Sequence, residues 1–253
     1  MQKEKAIFCW SGGKDSALCL YEVLQEGKYE VRYLLTTVNE NFKRISMHGV
    51  REELLEKQAE AIGIPLMKMY VKEGSNEEYE QNMEKFLLRA KAEGIENVIY
   101  GDIFLEDLRV YREKNMEKVG MKAVFPLWKR NTSELLERFI KLDFHTVTCC
   151  VNDAYLGEEM VGTEIDARFV SRLPSNVDPC GENGEFHSFC YAGPIFKEQV
   201  AFMLGEKVYK PLELKKVESV CPSENPSALP KPVTKGFWFC DLIPVTHGAE
   251  VIQ

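Results

Sequence analysis

Apolar and polar positions switch between two periods along the first half of the chain. Residues 5–10 form a short apolar run. Residues 15–25 then place Ala17, Leu18, Leu20, Tyr21 and Leu24 at the spacing of one helix face, until Gly27 stops the pattern. The couplet recurs as strand 29–38, helix 50–62 closed by Gly63, strand 64–71, helix 77–93 closed by Gly94, strand 97–103, helix 105–119 closed by Gly120, and strand 123–127. Strands separated by helices of this length cross over right-handedly and lie parallel in a sheet covered on both faces. The pattern predicts an α/β fold, a Rossmann-like sandwich around a parallel sheet.

After Trp128 the rhythm changes. Asn131, Thr132 and Ser133 offer caps for a helix over 135–142, and residues 146–151 read as a buried strand. Strand candidates at 185–191, 236–245 and 200–210 follow, among irregular stretches rich in Gly and Pro. This predicts a smaller C-terminal α+β subdomain. The division places one domain at residues 1–130 and a second at 131–253. Residues 221–234, with prolines at 222, 226, 230 and 232, are expected to form an extended connector to a final edge strand.

Composition narrows the function classes. With 253 residues, 45% of them hydrophobic, the chain can bury a sizeable core as one large domain or two small ones. The balance of 32 basic against 40 acidic residues, a net charge of −8, argues against an extended nucleic-acid surface. No apolar run approaches the eighteen or so residues of a membrane span, and Met1 to Lys5 lead directly into a strand without a signal-peptide pattern, so a cytoplasmic protein is expected. Eight cysteines lie at 9, 19, 149, 150, 180, 190, 221 and 240, none in a CxxC pair, which points to buried reduced thiols. Adjacent Cys149 and Cys150 point to opposite faces of their strand and do not form a redox pair.

The sharpest chemical signal is Ser11-Gly12-Gly13-Lys14-Asp15-Ser16, between an apolar strand and an amphipathic helix. Two glycines let the backbone approach a ligand closely, and the free amides and dipole at a helix start attract an anion. The loop is too short for a Walker A motif and lacks the GxGxxG fingerprint of dinucleotide sites. At the other strand ends of the same sheet edge, His48 could contact phosphates or substrate, Gly101 permits close approach to a ribose, and Asp102 could bind a hydroxyl or magnesium, or simply cap a helix. Arg109 and Arg112 follow on the next helix, and Trp128 is a candidate for a pocket wall or core packing. A second cluster runs from Asp178 through Cys180, Glu182, Glu185 and His187 to Ser188. On a strand, Glu185 and His187 would share a face, so a carboxylate and an imidazole would meet. Glu182, Glu185 and His187 are its candidate catalytic groups. His145 and His247 have no partner nearby in sequence and receive no role.

Ser-Gly-Gly-Lys-Asp-Ser after a first strand resembles the PP-loop of the N-type ATP pyrophosphatases, which have an adenine nucleotide alpha hydrolase-like fold. That resemblance implies attack on the α-phosphorus of ATP and release of pyrophosphate. The Gly12 and Gly13 amides with the Ser11 and Ser16 hydroxyls would hold the pyrophosphate, Lys14 would offset its charge, and Asp15 would assist magnesium. Together with Tyr100-Gly101-Asp102-Ile103, Phe125-Pro126-Leu127-Trp128, Gly181 to Ser188 and Gly193-Pro194-Ile195-Phe196, the chain resembles the diphthine:ammonia ligase family from residue 11 to 196. Nothing comparable marks residues 221–253.

This likeness implies ATP-dependent amidation, in which the carboxylate of diphthine on elongation factor 2 is adenylated and converted by ammonia to an amide. ATP, Mg²⁺ and ammonia are the expected cofactor and co-substrates. Where eukaryotic members carry Glu-Tyr-Glu-Thr, this chain has Glu185-Phe186-His187-Ser188, and with Ser46-Met47-His48-Gly49 it looks closer to the bacterial branch. The carboxylate therefore stays open between diphthine, in an archaeal or eukaryotic host, and another small acid in a bacterium. A nucleotide sensor without turnover is the alternative from another class. Sulfur transfer to tRNA is disfavoured by the acidic charge and missing CxxC, and without an N-terminal Cys nucleophile, free ammonia or another protein must supply nitrogen. A homodimer is compatible with this reading.

Overall fold

The computed structural model of the chain describes residues 2–45, 48–72, 76–212 and 233–245. All but the last two residues of the expected connector, together with Ser46, Met47 and His247, lie outside them.

The first half folds as β1 (Glu4–Cys9), α1 (Lys14–Glu26), β2 (Tyr29–Asn39), β3 (Arg44–Ile45), α2 (Glu52–Ile62), β4 (Leu66–Val71), α3 (Asn76–Ala92), β5 (Asn97–Ile99), α4 (Glu106–Lys118) and β6 (Lys122–Val124). These strands form a six-stranded sheet of order β3-β2-β1-β5-β6, with β4 also on β2. All its pairings are parallel except the short β2–β3 pair. β1 is central because Ala6, Ile7 and Phe8 are all fully buried, as a strand covered on both faces requires. Alternation sends Ala6 and Phe8 into one apolar cluster and Ile7 into another with Leu35, Leu87, Val98 and Met116.

The second half adds α5 (Thr132–Lys141), β7 (His145–Asn152), α6 (Ala167–Arg172), β8 (Phe186–Ala192), β9 (Phe202–Pro211) and β10 (Gly236–Pro244). Here the sheet is antiparallel, in the order β8-β7-β10-β9. The cluster under Ala6 and Phe8 runs on through Leu135 and Phe139 to Phe186, Phe189 and Cys190, so one core joins the two sheets.

Two expectations are corrected in detail, and two short elements had no sequence signal. The fourth strand stops at Ile99 rather than 103, since after Tyr100, whose amide still donates to the Val124 carbonyl, the chain leaves the sheet at Gly101, packed against Ser16 at the start of α1. The hairpin strand β3 and helix α6 carried no periodicity long enough to be read, at two and six residues. Glu185 precedes β8 instead of opening it, because its carboxylate is bonded within the preceding turn. No helix among the described residues is long and apolar enough to cross a membrane.

Candidate active site

The Ser11–Ser16 loop joins β1 to α1 at the edge where the parallel strands end. Gly12 has φ +78°, which glycine adopts without strain, and a Cβ there would lie 2.8 Å from Gln58 Oε1. Gly13 is the N-cap of α1 and, having no side chain, offers it no capping hydrogen bond. The loop is fixed internally by Ser16 Oγ donating to the Gly13 carbonyl at 2.9 Å and by the Gly13 amide donating to Ser11 Oγ at 3.3 Å.

The second sheet reaches this loop through β8. The Cys190 amide donates to the Gly12 carbonyl at 2.8 Å, and the Lys14 amide donates to Ser188 Oγ at 3.2 Å. From α2, fully buried Gln58 donates to the carbonyls of Gly12 (2.9 Å) and Cys190 (2.6 Å) and accepts from Trp10 Nε1 (2.9 Å). Neither Gln58 nor Ser188 stood out as a site residue in sequence. Gln58 looks like one more polar position on an amphipathic helix, whereas Ser188 lay inside a cluster already singled out.

Lys14 is only 3% exposed. Its ammonium donates to both Asp15 carboxylate oxygens at 2.7 Å and to the Cys180 carbonyl. Burial disfavours the cation, but Asp15 and its other acidic neighbours outweigh burial and leave the Lys14 pKa raised. Gly101 packs so tightly on α1 that a Cβ would stand 3.3 Å from Ser16 Cα. Asp102 beside it lies 3.1 Å from Arg112 Nε, and burial holds its pKa up despite that partner.

A cavity of about 880 Å³ opens over this edge. It is lined by the loop residues Ser11 and Gly13 to Ser16, by Thr36, His48, Gly101, Asp102 and Arg112, and by Cys180 to Gly184 and Phe186 to Ser188 from the second half. Glu182 enters it with one oxygen, Oε1, accepting from the amides of Ile103 (2.9 Å) and Phe104 (3.2 Å). Burial, reinforced by Asp15, pushes its pKa to about 7 against those bonds. His48 and His187 stack with centroids 4.7 Å apart and planes 26° from parallel.

The structure thus brings together Ser11 to Ser16, His48, Gly101, Asp102, Glu182 and His187, and it excludes Glu185. The Glu185 carboxylate accepts from the amides of Asp178 (3.0 Å) and Asn183 (2.9 Å) and from Asn183 Nδ2 (3.1 Å), so it braces the 178–185 turn and does not line the cavity. The expected meeting of Glu185 with His187 is replaced by the histidine stack. Arg112 reaches the cavity, whereas Arg109 pairs with Glu113 and covers the Trp128 ring outside it. His145 contacts Asp143 and Glu164 on the surface. Cys149 and Cys150 are buried, and burial raises both thiols, Cys150 to about 12, far from a reactive thiolate.

Comparison with known proteins follows the same two halves. A family profile for the diphthamide synthase N-terminal domain matches residues 4–123, and one for the diphthamide synthase C-terminal domain matches residues 131–219. The mouse diphthine–ammonia ligase is 26% identical over 221 residues, covering 78% of this chain and 82% of that protein. The zebrafish diphthine–ammonia ligase is 25% identical over 221 residues, covering 78% and 86%. A solved structure described as a predicted subunit of tRNA methyltransferase from Methanocaldococcus jannaschii aligns at 17% identity with a TM-score of 0.39, covering 78% of this chain and 100% of that one. With both family profiles in register along most of its length, the chain belongs to the diphthamide synthase family.

Proposed function

We propose that the protein is an ATP-dependent carboxylate–ammonia ligase forming AMP and pyrophosphate, in keeping with its relatives named diphthine–ammonia ligase. The observation that supports this most is the opening of Lys14 and Asp15 of the loop, and of Glu182 from the second half, onto one cavity. Residues 1–130 serve as the ATP-binding domain and residues 131–253 complete the site from the other side.

The Gly12 and Gly13 backbone and the Ser11 and Ser16 hydroxyls hold the terminal phosphates, and Lys14 offsets the charge that grows on departing pyrophosphate. Among the described residues no group of three or more His, Cys, Asp or Glu side chains is placed to hold a metal by itself. A magnesium ion carried on the triphosphate needs only one or two protein carboxylates, and partly exposed Asp15 fits that demand. Such an ion, when bound, supplies further charge neutralisation at the phosphates. Gly101 and Asp102 take the ribose side.

The substrate carboxylate attacks the α-phosphorus and pyrophosphate leaves. Ammonia then attacks the acyl carbon, the C–N bond forms as the C–O bond to AMP breaks, and Glu182 accepts the proton released from nitrogen. A carboxylate with a pKa of about 7 is matched to that task near neutral pH. Glu185 acts through the turn that carries Glu182 and is a positioning residue. The acceptor is diphthine on elongation factor 2 in an archaeal or eukaryotic cytoplasm, or another small carboxylate in a bacterial one.

The test supplies α-labelled ATP, Mg²⁺ and ammonium with diphthine-bearing elongation factor and, in parallel, a panel of small acids. Labelled AMP, pyrophosphate and a mass decrease of about one dalton on the amidated acid are expected. ADP with phosphate would overturn the reading, and tight ATP binding without turnover of any acid would favour the nucleotide sensor.

A further inference from the structure

His48, from the stretch after β3, and His187, from β8, meet over the phosphate loop although 139 positions separate them in sequence. A Cβ built on Gly13 would stand 3.2 Å from His48 Cε1, so the stack lies directly against the loop. Both rings line the cavity, and each carries one buried nitrogen without a hydrogen-bond partner among the described residues, His48 Nδ1 and His187 Nε2. Unmade hydrogen bonds on buried polar atoms are costly, and two of them on stacked rings beside an anion loop mark a place where bonding is completed when a ligand arrives.

We propose that the His48–His187 stack is a proton-taking anion subsite: when a nucleotide phosphate enters beside Gly13, the pair takes up one proton from solvent and adds a second cation to Lys14. This deepens the nucleotide reading of the loop and rests on it. Burial above all, and then the neighbouring ring and Lys14, push His48 down to about 3, while burial and then Lys14 push His187 down to about 4, which keeps both rings neutral near pH 7 in the free protein. The surroundings explain why an anion reverses this.

From α1 the rings face Lys14, whose partner is Asp15, and from the turn before β8 the same cavity receives Cys180 and Glu182. Ser188 on β8 is neutral. On the β10 side, Asp241 is occupied by Arg44 and Arg51, and Phe239 covers Gly49. A phosphate beside Gly13 adds negative charge next to the His48 ring, whose Cε1 lies against the loop, and so next to the ring stacked on it. The charged ring then donates from both of its nitrogens, while rings 4.7 Å apart repel a second proton. Linkage sets the sign: a proton taken up on binding makes affinity fall as pH rises, by at most about tenfold per pH unit.

The experiment is titration calorimetry of Mg²⁺ with α,β-methylene-ATP at pH 6.5, in two buffers of different ionisation enthalpy. Uptake of roughly one half to one proton per nucleotide is expected, with His48→Asn and His187→Asn each cutting it by half or more, the remainder being the share of Glu182, and lowering affinity several-fold. At pH 8.5 the wild type and both variants should converge. In the wild type itself, the ring resonances of His48 and His187, two of only four histidines, should move to charged-imidazole positions on saturation at pH 6.5. Binding without proton uptake, or rings that stay neutral in the complex, overturns this proposal alone. Absence of any binding overturns the nucleotide reading with it.

Discussion

Gln58 Nε2 donates to the Gly12 carbonyl at 2.9 Å, and Gln58 Oε1 accepts from Trp10 Nε1 at the same distance. One fully buried amide therefore ties α2 to the residue before the phosphate loop and to the loop itself. Its second donor contact, to the Cys190 carbonyl, extends the tie to β8, so the glutamine joins both sheets at the point where the anion would bind.

Gln58→Ala removes all three bonds and leaves the Trp10 indole N–H without its buried partner. The variant should be less stable by about 2–4 kcal/mol, summing the cost of orphaned buried groups and a cavity. Its nucleotide affinity should fall as the Gly12 carbonyl is released. Urea unfolding and an ATP-binding isotherm measure the two effects, and an unchanged midpoint would show the amide to be dispensable.

Lys14→Ala should reduce AMP formation by at least about a hundredfold, the scale of losing a donor aimed at charge developing in a transition state. The ammonium sits between Asp15 and the Cys180 carbonyl, so it is already oriented before ligand arrives. Single-turnover rates at saturating ATP isolate the chemical step from binding. A loss confined to KM would assign Lys14 to ground-state binding instead.

Asp241 accepts from Arg44 Nη1 at 2.9 Å and from Arg51 Nε and Nη2 at 3.1 and 2.6 Å, linking β10 to β3 and the start of α2. Hydrogen bonds from Arg51 first, and then from Arg44, lower its pKa below the ordinary carboxylate range. A depressed carboxylate contributes stability that is present above the unfolded value and lost as pH falls through the folded one. Asp241→Ala should thus cost roughly 1 kcal/mol at pH 7, a modest sum because the group is partly exposed. The gap between variant and wild type should close in strong acid. Thermal melts from pH 7 down to pH 2 follow it directly.

Much of the fold was legible because β1, α1, β2 and α2 each bury a full face. Ala6 to Phe8 and the helical stripe of Ala17, Leu18 and Leu20 declare themselves by period alone. The Ser11–Ser16 loop was legible for a different reason, since few local sequences other than an anion site need two glycines and a lysine between strand and helix. The role of Glu185 was not legible. Strand parity places it beside His187, but three donors in the 178–185 turn outcompete the strand geometry that parity assumes. Gln58 and the His48–His187 stack depend on which distant segments meet, and no local pattern carries that.

Glu182 combines a burial-raised pKa of about 7 with a place on the cavity wall, and the two have opposite consequences for stability and for turnover. Its folded pKa lies above the unfolded value, so the native state holds the proton more tightly and stability falls as pH rises between about 4.5 and about 7, then levels off. Glu182→Gln keeps Oε1 as an acceptor for the Ile103 and Phe104 amides while removing the charge. At pH 8 the variant should therefore be more stable than the wild type, by on the order of 1 kcal/mol once partial solvation of the carboxylate is allowed for. At pH 4 the two should coincide. Turnover should move the other way. Expressed per free ammonia, the wild-type rate of amide formation should climb with pH to a plateau with a midpoint near 7, and Glu182→Gln should lose that limb and fall by about a hundredfold or more. Urea midpoints and ammonium-dependent rates over the same pH series read both at once. A variant that loses activity without gaining stability at pH 8 would place the Glu182 proton elsewhere.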